Sequence, residues 1–316
     1  MESAKKEKKF ISLVVYLHNE EQRILPFLEQ VLPRFSEAFE DFEMVCVDDG
    51  CTDGTIEELK AWLIKNNRPV MVNIIHMSFY HGLESAMNAG RDLAIGDFVY
   101  EFDTIQIDYP PDIIFQIYER MLEGYDIVAA GTNDHIRLTS RIFYSLYNHT
   151  SKGKAIIGPE TLRIVSRRAI NRIKTLGQYI PYRKAVYANC GLKMDVLNYS
   201  QLSEKKGGKR RGTGERALLA LDSFIYFTNV MERLSFIVSC VFLLITIGVG
   251  IYILRDVLRS AAVVEGWIST MAFLALGFFG VFSLLTIVLK YLSVLLNLIF
   301  KQQRYLISDI EKVAKE

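Results

Sequence analysis

The stretch FEMVCVDDGCTDGTIEELKAWL, residues 42–63, passes from an apolar run through an acidic turn into an amphipathic segment. Its first seven residues are typical of a buried strand, whereas TIEELKAWL has apolar residues at three- and four-residue spacing, which predicts a helix. Gly50 permits a tight turn between the two, and Thr52 or Asp53 can cap the helix. The stretch therefore predicts a strand, a turn and a helix, with carboxylates at the carboxyl end of the strand.

The same alternation repeats over the first 130 residues, which indicates an α/β domain with a mostly parallel sheet covered on both faces. In such sheets, ligands bind beyond the carboxyl ends of the strands. The predicted strands are 10–17, 42–48, 69–77, 96–102 and 125–131, and the predicted helices are 20–37, 53–66, 82–94 and 110–123.

Polar and acidic residues follow each of the first four predicted strands. They are HNEE (18–21), DDGCTDGT (48–55), SFYHG (78–82) and DTIQID (103–108). A dinucleotide-binding G-x-G-x-x-G is missing after the first strand, and the chain has no G-x-x-x-x-G-K-[ST] phosphate loop. Acidic strand ends can instead hold a metal ion that carries a diphosphate, and can bind a nucleobase and ribose. Taken alone, residues 47–55 fit a purely structural turn and capped helix equally well.

The C-terminal third differs from the rest in composition. Half of the 316 residues are hydrophobic, and no charged side chain occurs from Ser235 to Leu254 or from Gly266 to Leu289. About 20 apolar residues suffice to cross a bilayer, so two transmembrane helices are predicted at 234–254 and 266–289. The alternative is a pair of buried helices in a large soluble core.

The flanks of these runs predict an orientation. Cations are concentrated before the first run and after the second, which places both termini and the domain 1–211 in the cytoplasm by the positive-inside rule. Residues 212–233 can form an interfacial amphipathic helix or a core helix, and 290–316 a cytoplasmic helix or tail. The charged N-terminus is not typical of a signal peptide. The predicted location is the cell membrane.

Three further features bear on the function. KKGGKRR (205–211) places five cations just before the first run, which suits anionic lipid or a phosphorylated ligand as well as a topology signal. The net charge of +1 gives no indication of nucleic acid binding. Four cysteines agree with a reducing compartment, and the spacing of Cys46 and Cys51 fits small core residues better than a metal or redox pair.

Several motifs together resemble those of the inverting family-2 glycosyltransferases of GT-A fold. More narrowly, with two C-terminal spans, the chain resembles the membrane-anchored polyprenyl-phosphate sugar transferases related to dolichyl-phosphate mannose synthase and bacterial undecaprenyl-phosphate glucosyltransferases. The motifs are VVYLHNEE (14–21), VDDGCTDGT (47–55), GLESAMNAG (82–90), GDFVYEFD (96–103) and DYPPD (108–112), with further similar segments at 140–148, 162–170, 219–227 and 304–312.

The resemblance implies transfer of a sugar from a UDP- or GDP-linked donor to undecaprenyl or dolichyl phosphate, in a pathway such as the synthesis of cell-envelope polysaccharide. It makes Asp103 a ligand of Mg²⁺ or Mn²⁺ and catalytic, and Asp108 a catalytic base or a carboxylate that positions the acceptor. The implied donor- and phosphate-binding residues are Asn19, Glu21, Asp48, Asp49, Ser78, Gly82, Arg141, Arg163, Lys209 and Arg210.

Several positions depart from the family pattern. Ile105 stands where the second metal-binding aspartate belongs, and Phe79 and Tyr80 replace an arginine and an asparagine. A cation held by Asp103 would depend on substrate phosphates for its other ligands. His18 and His81 can be unusual ligands or simply line a polar loop.

These departures keep two alternatives open. One is transfer to a different lipid acceptor. The other is a membrane protein that has lost catalysis and serves as a binding or assembly partner. The sequence leaves the oligomeric state undetermined, a homo-oligomer included.

Overall fold

The computed structural model describes residues 6–66, 70–132, 157–175, 182–202, 266–299 and 305–313. It also describes single positions within 141–149 and 237–255. The structural statements below concern these residues.

The N-terminal half alternates strands and helices as the sequence predicts. Each of the first five strands is largely buried. Four of them begin one or two residues later than predicted, and all five end at the predicted residue. The elements are β1 (Ile11–Leu17), α1 (Glu21–Ala38), β2 (Phe42–Asp48), α2 (Thr55–Asn66), β3 (Met71–Met77), α3 (Leu83–Leu93), β4 (Phe98–Phe102), α4 (Ile113–Leu122) and β5 (Ile127–Gly131).

Four more elements complete the globular part. They are β6 (Leu162–Ser166), α5 (Arg167–Thr175), α6 (Arg183–Asn189) and β7 (Met194–Asn198). With β8 (Ile307–Val313), the strands form one sheet in the order β7-β5-β6-β4-β1-β2-β3-β8. Strands β1 to β4 pair in parallel with each other, whereas β6 is antiparallel to both β4 and β5. The predicted α/β class with a mostly parallel sheet is confirmed.

Helices cover both faces of this sheet. Apolar residues of α1, α2 and α4 form one buried cluster with the sheet, and those of α3, α5 and α6 form a second cluster on the opposite face. Burial on both faces explains why strands β1 and β2 are nearly continuous apolar runs rather than alternating ones. The carboxyl ends of β1 to β4 therefore meet at one edge of a rigid layer.

The C-terminal region contains a long helix and then a return to the sheet. Helix α7 (Gly266–Ile299) is followed by β8 (Ile307–Val313), which pairs antiparallel with β3. The prediction of a helix or tail over 290–316 is therefore wrong for residues 307–313. Their pattern, ISDIEKV, alternates apolar and polar residues as an edge strand does.

Taken over the described residues alone, no helix is long and apolar enough to cross a membrane. The transmembrane helices predicted at 234–254 and 266–289 are thus not confirmed, and most of the first one lies outside the described residues. The predicted interfacial helix, 212–233, lies entirely outside them.

Helix α3 approaches the sheet closely at Gly90. A Cβ atom there would lie 2.4 Å from Val14 Cγ1 and 2.6 Å from Val47 Cγ2, and valines in strands have little rotamer freedom. We expect Gly90→Ala to lower the free energy of unfolding by about 1–3 kcal/mol through overpacking, measured by chemical denaturation. Gly158→Ala, where a Cβ meets nothing within 4 Å, is the control. Equal stability of the two variants would contradict this packing argument.

Candidate active site

Asp49, at the carboxyl end of β2, fixes the loop that precedes α3. Its side chain is fully buried and accepts hydrogen bonds from the backbone N–H groups of His81 (2.7 Å) and Gly82 (2.8 Å). The hydroxyl of Tyr16 donates a third bond over 3.1 Å. Gly82 has φ 82°, a conformation that strongly favours glycine. Asp49, which the sequence predicts to bind the nucleoside, thus holds together the ends of β1, β2 and β3.

Asp48 and Asn19 brace the neighbouring turn. Asp48 accepts hydrogen bonds from the backbone N–H of Cys51 and pairs with Nδ1 of His76, both over 2.8 Å. The side-chain oxygen of Asn19, whose φ is 54°, accepts a bond from the backbone N–H of Thr52 over 2.8 Å. These contacts order the acidic loop 48–54 at the edge of the sheet before any ligand binds.

Glu21 and Ser78 present exposed side chains at the same edge. Glu21 begins α1, and its backbone N–H donates to Asp53 over 3.2 Å. Asp53 also accepts a bond from the backbone N–H of Thr55, so of the two predicted caps it is Asp53 that caps α2. The side chains of Glu21 and Ser78 are thus accessible to a ligand.

Leu306, the residue just before β8, holds the loop 78–82 from its other side. The backbone N–H of Ser78 donates to the carbonyl of Leu306 (2.9 Å), and that of Leu306 donates to Nε2 of His81 (3.1 Å). The exposed ring of Phe79 stacks on His81 at 4.0 Å between centroids, and Tyr80 lies against His18 at 4.6 Å. The residues that replace the family's arginine and asparagine therefore form an aromatic surface beside the acidic loop.

If the loop 78–82 binds a nucleotide-sugar donor, as the family resemblance implies, removing the Asp49 carboxylate is expected to weaken that binding. Asp49→Ala leaves two backbone N–H groups of the loop 78–82 without their acceptor, and bonds to a charged acceptor are worth about 1.5–3 kcal/mol each. We expect the KM for the nucleotide sugar to rise about tenfold or more, with a smaller change in kcat, in steady-state assays. Asp53→Ala, whose acceptor bonds lie within its own turn and α1, is the control. An unchanged KM in Asp49→Ala would contradict a role for this loop in donor binding.

Asp103, the predicted metal ligand, lies in a buried network of charges. Its Oδ1 accepts a hydrogen bond from Arg183 Nη2 over 2.6 Å, and its Oδ2 accepts one from Arg163 Nη2 over 2.8 Å. Glu101, two residues earlier on the same face of β4, binds both arginines through Oε2 at 2.6 and 2.9 Å. Arg163 lies opposite Glu101 in the antiparallel register of β4 and β6. Two guanidinium groups thus bind both carboxylates.

The network extends into the helices that cover this face of the sheet. The Nε of Arg183, the first residue of α6, donates to Glu84 of α3 over 3.0 Å. The hydroxyl of Tyr187 donates to Glu101 over 2.5 Å. The side chains of Arg163, Arg183 and Glu101 are at most 1% exposed. The pairs therefore join β4, β6, α3 and α6 in an interior shielded from water.

These contacts make both carboxylates strongly acidic. Burial alone raises the pKa of Glu101 and of Asp103, but the guanidinium groups of Arg163 and Arg183 outweigh it and hold both pKa values below the ordinary range. A lowered pKa in the folded state stabilises the fold above the unfolded-state value, which is about 4. This stabilisation is lost as the pH falls from about 4 through the lower, folded-state values.

The residues around Asp103 do not fit a divalent cation. Both of its oxygens accept bonds from arginines, and Ile105 at the second ligand position is buried in the apolar cluster on the α1 face. Within the described part of the chain, no group of three or more His, Cys, Asp or Glu residues could hold a metal. The predicted Mg²⁺ or Mn²⁺ site at Asp103 is therefore not supported by the residues present.

Asp108 has different surroundings. It is 4% exposed, and its two oxygens accept bonds from the hydroxyl of Tyr199 (3.2 Å) and the amide of Gln201 (2.7 Å). The backbone N–H of Asp103 donates to the carbonyl of Thr161 over 2.9 Å. The carboxylates of Asp103 and Asp108 have separate partners.

The predicted phosphate-binding cations are divided between buried, exposed and undescribed positions. Arg163 is buried in the network above, Arg141 is exposed, and Lys209 and Arg210 lie outside the described residues. Sequence reasoning named Asp103 and Arg163 but missed the other members of the network, Glu84, Glu101, Arg183 and Tyr187. Glu101 carried a signal, because an acid at an inward position of an apolar strand needs a buried partner, but Arg183 carried none.

Comparisons with known proteins agree with this architecture. The family model of glycosyl transferase family 2 matches residues 12–176, just over half of the chain. The chain is 24% identical over 307 residues to an uncharacterized glycosyltransferase of Synechocystis, covering 95% of each. It is 27% identical over 268 residues to the bactoprenol glucosyl transferase of Shigella phage SfV, covering 83% of this chain and 86% of that protein.

Solved structures give weaker similarities. A mannosyltransferase from Pyrobaculum calidifontis, in complex with GDP-mannose and Mn²⁺, is 16% identical with a TM-score of 0.49, over 69% of this chain and 63% of that one. Glucosyl-3-phosphoglycerate synthase from Mycobacterium tuberculosis, with Mn²⁺ and UDP-glucose, is 15% identical with a TM-score of 0.45, over 69% and 77% of the chains. From the match over residues 12–176, the chain belongs to glycosyl transferase family 2 and is a glycosyltransferase.

Proposed function

We propose that this glycosyltransferase transfers a sugar from a nucleotide-sugar donor to a polyprenyl phosphate at the cytoplasmic face of the cell membrane, with inversion at the anomeric carbon. The observation that carries the proposal is the extent of the similarity to the phage bactoprenol glucosyl transferase. It covers 268 residues, which is far more than residues 12–176 that the family model matches. The likeness therefore includes part of the chain beyond the sheet.

Membrane attachment is supported by the apolar C-terminal segments. Helix α7 exposes large apolar side chains at many of the positions whose side chains are described, a surface that water does not favour. These are Leu274, Leu276, Phe278, Val281, Leu285, Val288, Leu289, Leu292 and Leu295. A polyprenyl acceptor stays in the bilayer, so an enzyme acting on it gains from spans at 234–254 and 266–289 and from an interfacial segment at 212–233.

The acceptor needs little help in losing a proton. A phosphate monoester has a second pKa near 6, so at cytoplasmic pH much of it is already the dianion. Its oxygen attacks the anomeric carbon, the bond to the donor diphosphate breaks, and the nucleoside diphosphate leaves with the electron pair. Because both oxygens of Asp108 already accept hydrogen bonds, its carboxylate acts by positioning the acceptor side of the site.

The donor lies over the loops that Asp48, Asp49 and Asn19 order, where Glu21 and Ser78 have exposed side chains. The diphosphate is balanced by cations outside the buried network, and Lys209 and Arg210 are the proposed contacts. Both precede the first apolar run, close to where an acceptor phosphate would emerge from the membrane.

The test is transfer of a radiolabelled sugar. The full chain in membrane vesicles is incubated with UDP- and GDP-sugars and undecaprenyl phosphate, and label is counted in the organic extract. We expect labelled lipid with at least one donor, and loss of most of it in Asp108→Ala but not in Asp112→Asn, an exposed neighbour. Label that enters diacylglycerol or another lipid instead would overturn the proposed acceptor. Nucleotide binding without any transfer would favour a non-catalytic binding role.

A further inference from the structure

Asp103 sits where this family's fold would place a metal ligand, yet its carboxylate is fully engaged. Its Oδ1 receives Arg183 Nη2 at 2.6 Å and its Oδ2 receives Arg163 Nη2 at 2.8 Å. The side chain of Asp103 is only 7% exposed. A cation could bind there only after at least one guanidinium group had moved away.

Moving a guanidinium group would be costly. Arg183 also binds Glu84 and Glu101, and Arg163 also binds Glu101, so each arginine is held by more than one carboxylate. Removing one partner of a buried ion pair is strongly destabilising, because the other charge is left uncompensated. A divalent cation would in addition have to compete with two guanidinium groups for the same carboxylate oxygens of Asp103.

The second ligand position offers no compensation. Ile105 is 2% exposed and belongs to the apolar cluster on the face of the sheet opposite the arginines. Mg²⁺ usually binds one or two protein carboxylates together with phosphates and water. Here the arginines occupy the carboxylate of Asp103, and Ile105 provides none, so neither position offers the cation a free ligand.

We propose that Asp103 is the counter-ion of Arg163 and Arg183, and that the nucleotide-sugar site of this protein works without a divalent cation at Asp103. This inference rests on the proposed function, from which it takes the nucleotide sugar as the ligand. The charges of the buried arginines are balanced by Glu84, Glu101 and Asp103, so the charge of the diphosphate is met by cations outside this network. The diphosphate is then recognised by the protein's own cations and N–H groups.

The first experiment needs no donor. The full chain, purified in detergent and freed of metal with EDTA, is titrated with Mn²⁺ alone, and free Mn²⁺ is measured by its electron paramagnetic resonance signal. We expect no site with a Kd below about 1 mM. One Mn²⁺ bound per chain with micromolar affinity, and lost in Asp103→Asn, would overturn the proposal. A family-2 enzyme with both aspartates is the positive control.

A second experiment allows for a cation that binds only with nucleotide. Calorimetric titrations with UDP and with GDP are compared in EDTA and in Mn²⁺. We expect affinities within about threefold of each other, a difference below 1 kcal/mol. An increase of tenfold or more with Mn²⁺ in the wild type, but not in Asp103→Asn, would overturn the inference. Both experiments measure binding and not sugar transfer. They therefore still test the inference about the cation if the protein proves not to transfer sugar to polyprenyl phosphate.

Discussion

Arg183→Met lowers the free energy of unfolding by about 3–5 kcal/mol, the expected cost of leaving buried carboxylates without their partner. Glu84, Glu101 and Asp103 all bind this one guanidinium group, whose side chain is 0% exposed. Since domains are stable by about 5–15 kcal/mol, the change removes a large share of the total. The measurement is chemical denaturation followed by tryptophan fluorescence, with Trp62 buried in α2 as a reporter.

Two matched variants make the result specific. Arg172→Met alters an exposed arginine of α5 and is expected to change stability by less than about 0.5 kcal/mol. Arg183→Lys keeps the charge but cannot reach three carboxylates with one ammonium group, so most of the loss persists. If Arg183→Met and Arg172→Met were equally stable, the buried network would not be what joins α6 to the sheet.

Asp108→Ala reduces kcat/KM about 100-fold or more, the expected result if its carboxylate holds Tyr199 and Gln201 in place. A misplacement of about 1 Å near the reacting atoms suffices for a loss of that size. Asp108→Asn keeps an acceptor for Gln201 and an amide that can donate to the Tyr199 oxygen, so we expect it to recover activity to within about tenfold of wild type.

The conservative variant separates positioning from proton transfer. An obligatory general base cannot be replaced by an amide, so equal losses in Asp108→Asn and Asp108→Ala would show that Asp108 removes a proton. Under the positioning role, the rate rises with pH up to about 6, where the acceptor phosphate becomes a dianion, and is flat above it in both wild type and Asp108→Asn. Steady-state assays over a pH series measure this directly, and Asp112→Asn serves as the exposed control.

The sequence predicts the first half of the fold well because its signals are local. Strands β1 to β5 and helices α1 to α4 follow from hydrophobic periodicity, and the acidic loop 48–54 lies at the carboxyl end of β2 as expected. Pairing over long distances carries no such signal. The sequence predicts a helix or tail for the residues of β8 because they follow a long apolar helix. Their actual partner, β3, lies far back in the chain and leaves no local signal.

In the candidate site, too, the sequence predicts local features but not long-range contacts. The positions of Asp48, Asp49 and Asp103 follow from where their strands end, but their partners do not. Asp103 looks like a metal ligand in the sequence because the arginines that bind it lie 60 and 80 residues further along. Only the folded arrangement shows that the buried carboxylate is already neutralised.

Strand β8 has a consequence for how the chain is made. His76 and Glu311, which meet across β3 and β8, are 235 residues apart, and ribosomes add about 5–20 residues per second. For roughly ten to fifty seconds of synthesis, β3 is thus a bare sheet edge, open to strand pairing with other chains. Over the same interval the loop 78–82 lacks its bond to Leu306, so in a nascent chain the proposed nucleotide site stays incomplete until residues 305–313 emerge.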